Sequence, residues 1–274
     1  KALGKKSEDD MVRSLWTAAT GMNGQQTNID AISHNLSNVN TTGYKQQRVE
    51  FEDLIYQTAK LAGTPATEDT VTPVGIQQGH GVRVGATQRI MHQGSLQHTG
   101  VSTDVAIVGD GFFRVQKYDG SYAYTRDGSF QVDSTGQLLT SDGNRVMPEI
   151  ILPEGYDVQT LVISQDGRVG VKINGETEPT EVGQLELYRF PNEIGLEADG
   201  DNLFKVSNAS GAPIASRPGF EGMGKLEHKF LEMSNVSVVN EMVAMIVAQR
   251  AYEFNSKAIQ TSDTMLGTAV SLKR

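Results

Sequence analysis

Residues 14–40 read SLWTAATGMNGQQTNIDAISHNLSNVN. Leu15, Met22, Ile29 and Leu36 step by seven, and Ala18, Ile32 and Val39 each stand three residues after a member of that series. This is the stripe of a helix made to pack against other helices. Gln25 falls on one position of the stripe and weakens it there. With no proline in the segment, the spacing predicts a helix from Ser14 to about Asn40, roughly 40 Å long. Asn35, Asn38, Thr42 and Gly43 then supply a stop: short polar side chains bond their own backbone, and glycine takes the left-handed conformation that reverses the chain.

The other end mirrors this one. Val238, Met245, Tyr252, Ile259 and Leu266 again step by seven, with Ser237 or Asn235 as the N-cap and Glu241 in the first turn, where the helix dipole favours an acid. A second stripe of Val243, Ile246, Val247, Phe254, Ala258 and Met265 leaves more than one face apolar. Such a helix needs neighbours on several sides, more than one partner helix from the same chain provides. Both ends are therefore expected to be largely disordered in the monomer and to become helical on assembly. Gln249, Arg250 and Asn255 are polar residues among apolar faces. They either pair across subunits and fix register or form a solvated face lining a channel.

The middle has another texture. Asp-Gly dipeptides begin at Asp110, Asp119, Asp127, Asp142, Asp166 and Asp199, and Asn174-Gly175 adds a further turn signal. Short alternating runs separate them, among them Phe113-Arg114-Val115 and Tyr122-Ala123-Tyr124-Thr125. Strands between such turns read as antiparallel hairpins. The fold class is thus α+β: long terminal helices pairing as a coiled coil, with an antiparallel all-β domain inserted between them. The boundaries predicted are an extension at 1–10, a helix and turn at 11–45, a connecting segment at 46–82, a β-rich domain at 83–232 and a final helix at 233–274. Gln57 to Gly81, rich in Thr, Gly and Pro, reads either as a flexible loop or as a segment with a task, since loops of this length are uncommon in compact chains.

Composition narrows the function. A net charge of −9 over 274 residues argues against nucleic acid, and no apolar run is long enough to span a bilayer. Neither the polar stretch Lys1 to Asp10 nor the residues after Met11 carry the apolar region of a cleaved secretory signal. The absence of cysteine excludes disulfides, thiolate nucleophiles and Cys-ligated zinc. The five histidines include no pair four residues apart, and no nucleophile elbow or P-loop appears. No catalytic residue, metal ligand or cofactor is expected.

Two segments are specific as a pair. The first runs Asn35-Leu36-Ser37-Asn38-Val39-Asn40-Thr41-Thr42-Gly43-Tyr44-Lys45. The second joins Ser234-Asn235-Val236-Ser237, Glu241-Met242-Val243 and Gln249-Arg250-Ala251-Tyr252-Glu253. Together they resemble the terminal signatures of the bacterial flagellar rod and hook protein family. Phe51 to Gln57, Gly109 to Phe113 and Tyr122 to Phe130 bring the chain nearest to its distal-rod members. The resemblance covers Met11 to Arg274, and residues 1–10 are assigned no role.

The resemblance implies a non-enzymatic subunit of a straight tubular rod that transmits torque to the hook and leaves a central export channel. It implies export through the flagellar type III apparatus without a cleaved signal, then assembly in the periplasm. The implied neighbours are copies of the chain itself, proximal rod proteins, hook protein and surrounding ring proteins. Assembly would run through Leu15, Met22, Ile29, Ile32, Leu36 and Val39 of the first helix. Val238, Met242, Met245, Gln249, Arg250, Tyr252, Asn255, Ile259 and Leu266 would serve in the last helix. Asn35, Asn38, Thr42, Gly43, Tyr44 and Lys45 form the signature turn, and Leu61, Pro65, Pro73 and Val74 mark a segment expected to stiffen the rod.

Overall fold

The computed structural model describes residues 2–63, 65–67, 70–71, 73–153, 155–156, 160–172 and 180–272, and the side chains of these except for residues 2–12, 65–67, 70–71, 269 and 272. The architecture is α+β, with two helices, α1 (Ala2–Ser37) and α2 (Val238–Leu272), and antiparallel strands between them. The chain divides into two compact units. One comprises Lys1–Leu36, Gln47–Gln88 and Val238–Arg274; the other comprises Ser37–Gln46 and Arg89–Ser237.

Helix α1 differs from the sequence expectation at both ends. It begins at Ala2 instead of near Ser14, so residues 2–10 are helical. Lys, Glu, Ala and Leu propagate a helix on intrinsic propensity without any apolar stripe. It ends at Ser37, and turn residues follow through Gly43, whose φ of +68° is the left-handed conformation expected there. A Cβ on Gly43 would lie 2.8 Å from the backbone nitrogen of Asp127, so bare backbone is needed for packing as well as for the torsion.

Within the helical unit, Gln47–Asp53 pairs with Val82–Arg89. The stretch read as a loop or connector contains paired strands: Tyr56–Lys60 runs antiparallel to Ile76–Gly79, and Pro65–Thr67 to Thr70–Val71. Every residue of Tyr56–Lys60 and Ile76–Gly79 is exposed, so both sides of this narrow ribbon face water. Ile55, Leu61, Val74 and Ile76 are exposed on it or at its base.

The second unit is built on a seven-stranded antiparallel sheet. Its spatial order is Phe130–Val132, Leu138–Thr140, Arg145–Met147, Phe113–Gln116, Tyr122–Thr125, Leu203–Lys205 and Glu197–Gly200. Asp119-Gly120, Asp142-Gly143, Asp166-Gly167 and Asp199-Gly200 lie in or beside hairpin turns, as their chemistry predicts. Asp127-Gly128 does not close a hairpin; there the Asp127 carboxylate accepts from the backbone N–H of Ser129 at 3.0 Å. Asn174-Gly175 lies outside the described residues.

Phe112 and Phe113 point to opposite sides, as neighbours on an extended backbone must. Phe113 joins an aliphatic core with Val105, Ile107, Phe130, Leu138, Val146 and Leu226, whereas Phe112 joins an aromatic cluster with Tyr124, Tyr188, Phe190 and Phe204. Each fully buried large side chain contributes about 1.5–3 kcal/mol. These two clusters are the hydrophobic core of the unit.

Candidate functional site

Among the described residues, α1 lies against α2 at several points. Ser14 Oγ and Ser262 Oγ are 3.1 Å apart, a Cβ on Gly21 would lie 2.8 Å from Asn255 Nδ2, and Asn35 Nδ2 donates to Glu241 Oε2 at 3.1 Å. Positions advance by seven and fourteen along α1 while they retreat by the same steps along α2, so the helices are antiparallel. Apart from Ile32, the residues buried along them are small or polar: Ala18, Ala31 and Asn35 on α1, and Glu241, Ala248 and Ser262 on α2. Small side chains let two backbones approach closely.

The sequence reading gave the larger apolar series to assembly. In the single chain Leu15, Met22, Ile29 and Leu36 are half-buried beside this contact, as are Met245, Ile259 and Leu266. Ile32 is buried on it, and Val39 is half-buried beyond the end of α1. Glu241, Ala248, Asn255 and Ser262 form their own step-of-seven series, a signal present in the sequence but masked by greasier neighbours.

Asn35 anchors the far end. Its amide accepts from the backbone N–H of Gln47 at 2.8 Å and donates to the Gln47 carbonyl at 2.8 Å, besides donating to Glu241. One side chain thus closes the end of α1, the first strand after it and the first turn of α2.

The outer surface of α2 is different. Val239, Met242, Val243, Ile246, Val247 and Phe254 are all more than half exposed, with Phe254 at 67%. Val238 and Tyr252 are also exposed, and so is Trp16 on α1. Gln249 is exposed, and Arg250 is held by Glu253 one turn on at 2.8 Å.

The rest of the signature turn belongs to the second unit and ends in a buried charge cluster. Glu232 accepts from Lys45 Nζ at 2.7 Å, Gly94 N at 2.9 Å and Arg126 Nε at 2.9 Å, and all three charged side chains are at most 4% exposed. Lys45 also donates to the His92 carbonyl, and Arg126 to the carbonyls of Gly111 and Gly109. Burial pushes Lys45 below the ordinary lysine range, with Arg126 acting in the same direction and Glu232 opposing. The backbone N–H of Gly43 donates to the carbonyl of Glu232 at 2.8 Å, so the chain just after α1 and the chain just before α2 meet here. Tyr44 is buried, Thr42 is half-buried, and Asn38 accepts from Thr41 Oγ1 at 3.1 Å. Asn235 donates to the carbonyls of Ile90 and His92 and accepts from Gln46 N. Sequence reasoning found Lys45 but missed Arg126 and Glu232, because charged residues default to the surface.

Of the stiffening segment, Leu61, Pro73 and Val74 are exposed. Pro65 lies in a strand, with its side chain outside the described residues. Among the described residues, no group of three or more His, Asp or Glu is arranged to hold a metal ion.

These elements coincide with known family patterns. The family described as flagella basal body rod protein matches residues 15–45, covering α1 and the turn. The flagellar hook protein FlgE/F/G D1 domain matches 106–171, and the flagellar basal body rod FlgEFG protein C-terminal pattern matches 227–272. Flagellar basal-body rod protein FlgG of Borreliella burgdorferi is 60% identical over 96% of this chain and 100% of its own length. The chain belongs to the flagellar basal-body rod protein family. Rod proteins of the same description from Caulobacter vibrioides and Bacillus subtilis are 45% and 42% identical, each over 96% of this chain and 100% of their own length. Membership makes the chain a structural subunit of the flagellar basal body. In this rod-family member the three matched patterns fall on α1 with its turn, on the sheet of the second unit, and on α2 with the strands just before it.

Proposed function

We propose that the chain polymerises through its two terminal helices into the straight distal part of the rod. The carrying observation is the exposed apolar face of α2. Six large side chains stay in water in the single chain although α1 lies alongside. Each contributes up to about 1.5–3 kcal/mol when covered, enough to offset the entropy of bringing subunits together once several neighbours share the work. A second copy of the chain covers this face, and the two helices act within each subunit as a coiled coil lining a central channel.

In this reading the rod stands in the periplasm and passes torque to the hook. Proximal rod proteins lie below it, hook protein above it and ring proteins around it. Export without a cleaved signal through the type III apparatus accords with the family likeness and with a cysteine-free chain. The work is mechanical and needs no catalysis or cofactor. No helix among the described residues is long and apolar enough to cross a membrane. Ordering of the two ends on polymerisation belongs to the same proposal, and full helix content in dilute monomer, read by circular dichroism, would refute that part.

The ribbon from Tyr56 to Gly79, with exposed Leu61 and Val74 beyond its paired strands, is the stiffening element. Electron microscopy of rods lacking residues 61–74 tests it. Curved or flexible polymers are expected, and rods that remain straight and unbending contradict the assignment.

A further inference from the structure

The buried contact between α1 and α2 has an unusual composition for two helices of 36 and 35 residues. Ser14 meets Ser262 and Gly21 meets Asn255, with Ala248 buried one heptad further along α2. Small residues give close approach but little discrimination. Sliding one helix by seven residues would set small side chains against small side chains again, with nearly the same area covered. Hydrophobic contact is non-directional and cannot select among such registers.

One position does discriminate. Asn35 uses its carbonyl for Gln47 N–H and its amide for the Gln47 carbonyl and Glu241 Oε2, while Asn35 is 1% and Glu241 4% exposed. A slip of seven residues one way would set Asn35 against Ala248, and a slip the other way would carry Asn35 past the start of α2 at Val238, so either breaks the Asn35–Glu241 bond. Breaking a hydrogen bond to a buried charged group is more costly than breaking one between neutral groups, and single polar core residues are known to fix the register of paired helices.

We propose that Asn35, held by Gln47 and paired with Glu241, is the register lock of the α1–α2 pair, so that the intrachain contact sets alignment and the outward apolar face of α2 is left to bind other copies. This rests on the polymerisation reading above. The lock matters to that reading because a slip of one heptad, about 10 Å along the axis, would displace Val243, Val247 and Phe254 relative to α1. Subunits in mixed registers could not present one repeating surface.

The native chain contains no cysteine, which gives a clean background for disulfide mapping. Ser14→Cys with Ser262→Cys reports the observed register, since 3.1 Å between the two hydroxyl oxygens leaves the Cβ atoms within range of a disulfide. Ser14→Cys with Asn255→Cys and Ser14→Cys with Ala269→Cys report slips of one heptad in either direction. Full-length chains carrying each pair are concentrated to assemble, oxidised and resolved on non-reducing gels, with polymers checked by electron microscopy. Without further changes, the 14–262 link is expected to dominate the slipped links by at least tenfold. Adding Asn35→Leu and Glu241→Leu, which removes the lock without stranding a charge, is expected to reduce that ratio at least tenfold while circular dichroism shows unchanged helix content. If the double change prevents folding, Glu241→Gln is read in the same way, and the same direction of change is expected.

A 14–262 link that stays dominant in both lock variants overturns the proposal, as does its absence from the parent chain. Failure of the parent chain to polymerise at all would instead sink the assembly reading, whichever cross-link forms.

Discussion

Replacing Glu232 by alanine tests how the second unit holds together the chain leaving α1 and the chain entering α2. The carboxylate is fully buried and takes three hydrogen bonds, two of them from cations that have no access to water. Truncation leaves Lys45 and Arg126 without their bonded carboxylate, although Glu193 still acts on both, a loss of about 3–5 kcal/mol for a broken buried pair. The unit that contains them, residues 37–46 and 89–237, falls in the size range where 1 kcal/mol moves the melting temperature by about 2–4 °C. A drop of roughly 6–20 °C is therefore expected, read by calorimetry or near-ultraviolet circular dichroism on the full-length chain. Glu232→Gln keeps the shape and loses the charge, and should fall between the two. Replacing Lys45, Arg126 and Glu232 together by apolar residues of similar volume should recover most of the loss, because well-packed apolar groups match or exceed a buried ion cluster in stability. A shift under about 2 °C for Glu232→Ala would refute this view of the cluster.

Three further outcomes follow from the geometry. Gly43→Ala must adopt φ +68° and drive a Cβ against the backbone of Asp127; a loss of about 2 kcal/mol or more in chemical denaturation is expected. Val243→Asp with Val247→Asp, both exposed on α2, should leave monomer melting nearly unchanged and abolish polymers in a sedimentation assay. His228 is pushed below the ordinary histidine value, chiefly by burial, against the bond between its Nε2 and the Ser102 carbonyl at 2.7 Å and with Lys229 adding to the effect of burial. The unfolded chain therefore binds more protons than the folded one below about pH 6.5, and stability should fall as pH drops through that range. His228→Gln should flatten that part of the melting profile.

The helices were legible because two proline-free segments carry a step of seven, and the hairpins because Asp-Gly marks tight turns. Each failure has a physical cause. Residues 2–10 carry no apolar rhythm, so only propensity betrayed their helix. Among the described residues the contact between the helices draws on Ser14, Gly21, Asn35, Glu241, Asn255 and Ser262, small or polar side chains that hydrophobicity does not highlight. Pairing in the ribbon from Tyr56 to Gly79 was hidden because neither face is buried, which removes the alternation that identifies strands. The charge cluster joins residues separated by 106 and 187 positions, and a single sequence gives no means to bring such residues together. In the signature turn the left-handed conformation expected of Gly43 is present at φ +68°, whereas the long-range bonds of Asn35 and Lys45 could not be read from their neighbours in sequence.

Electron microscopy of the purified full-length chain, concentrated under assembling conditions beside a chain lacking residues 11–44, tests the central claim most directly. The account predicts straight tubes from the full chain and none from the shortened one. Stable monomers from both, or tubes that form as readily without the first helix, would contradict it.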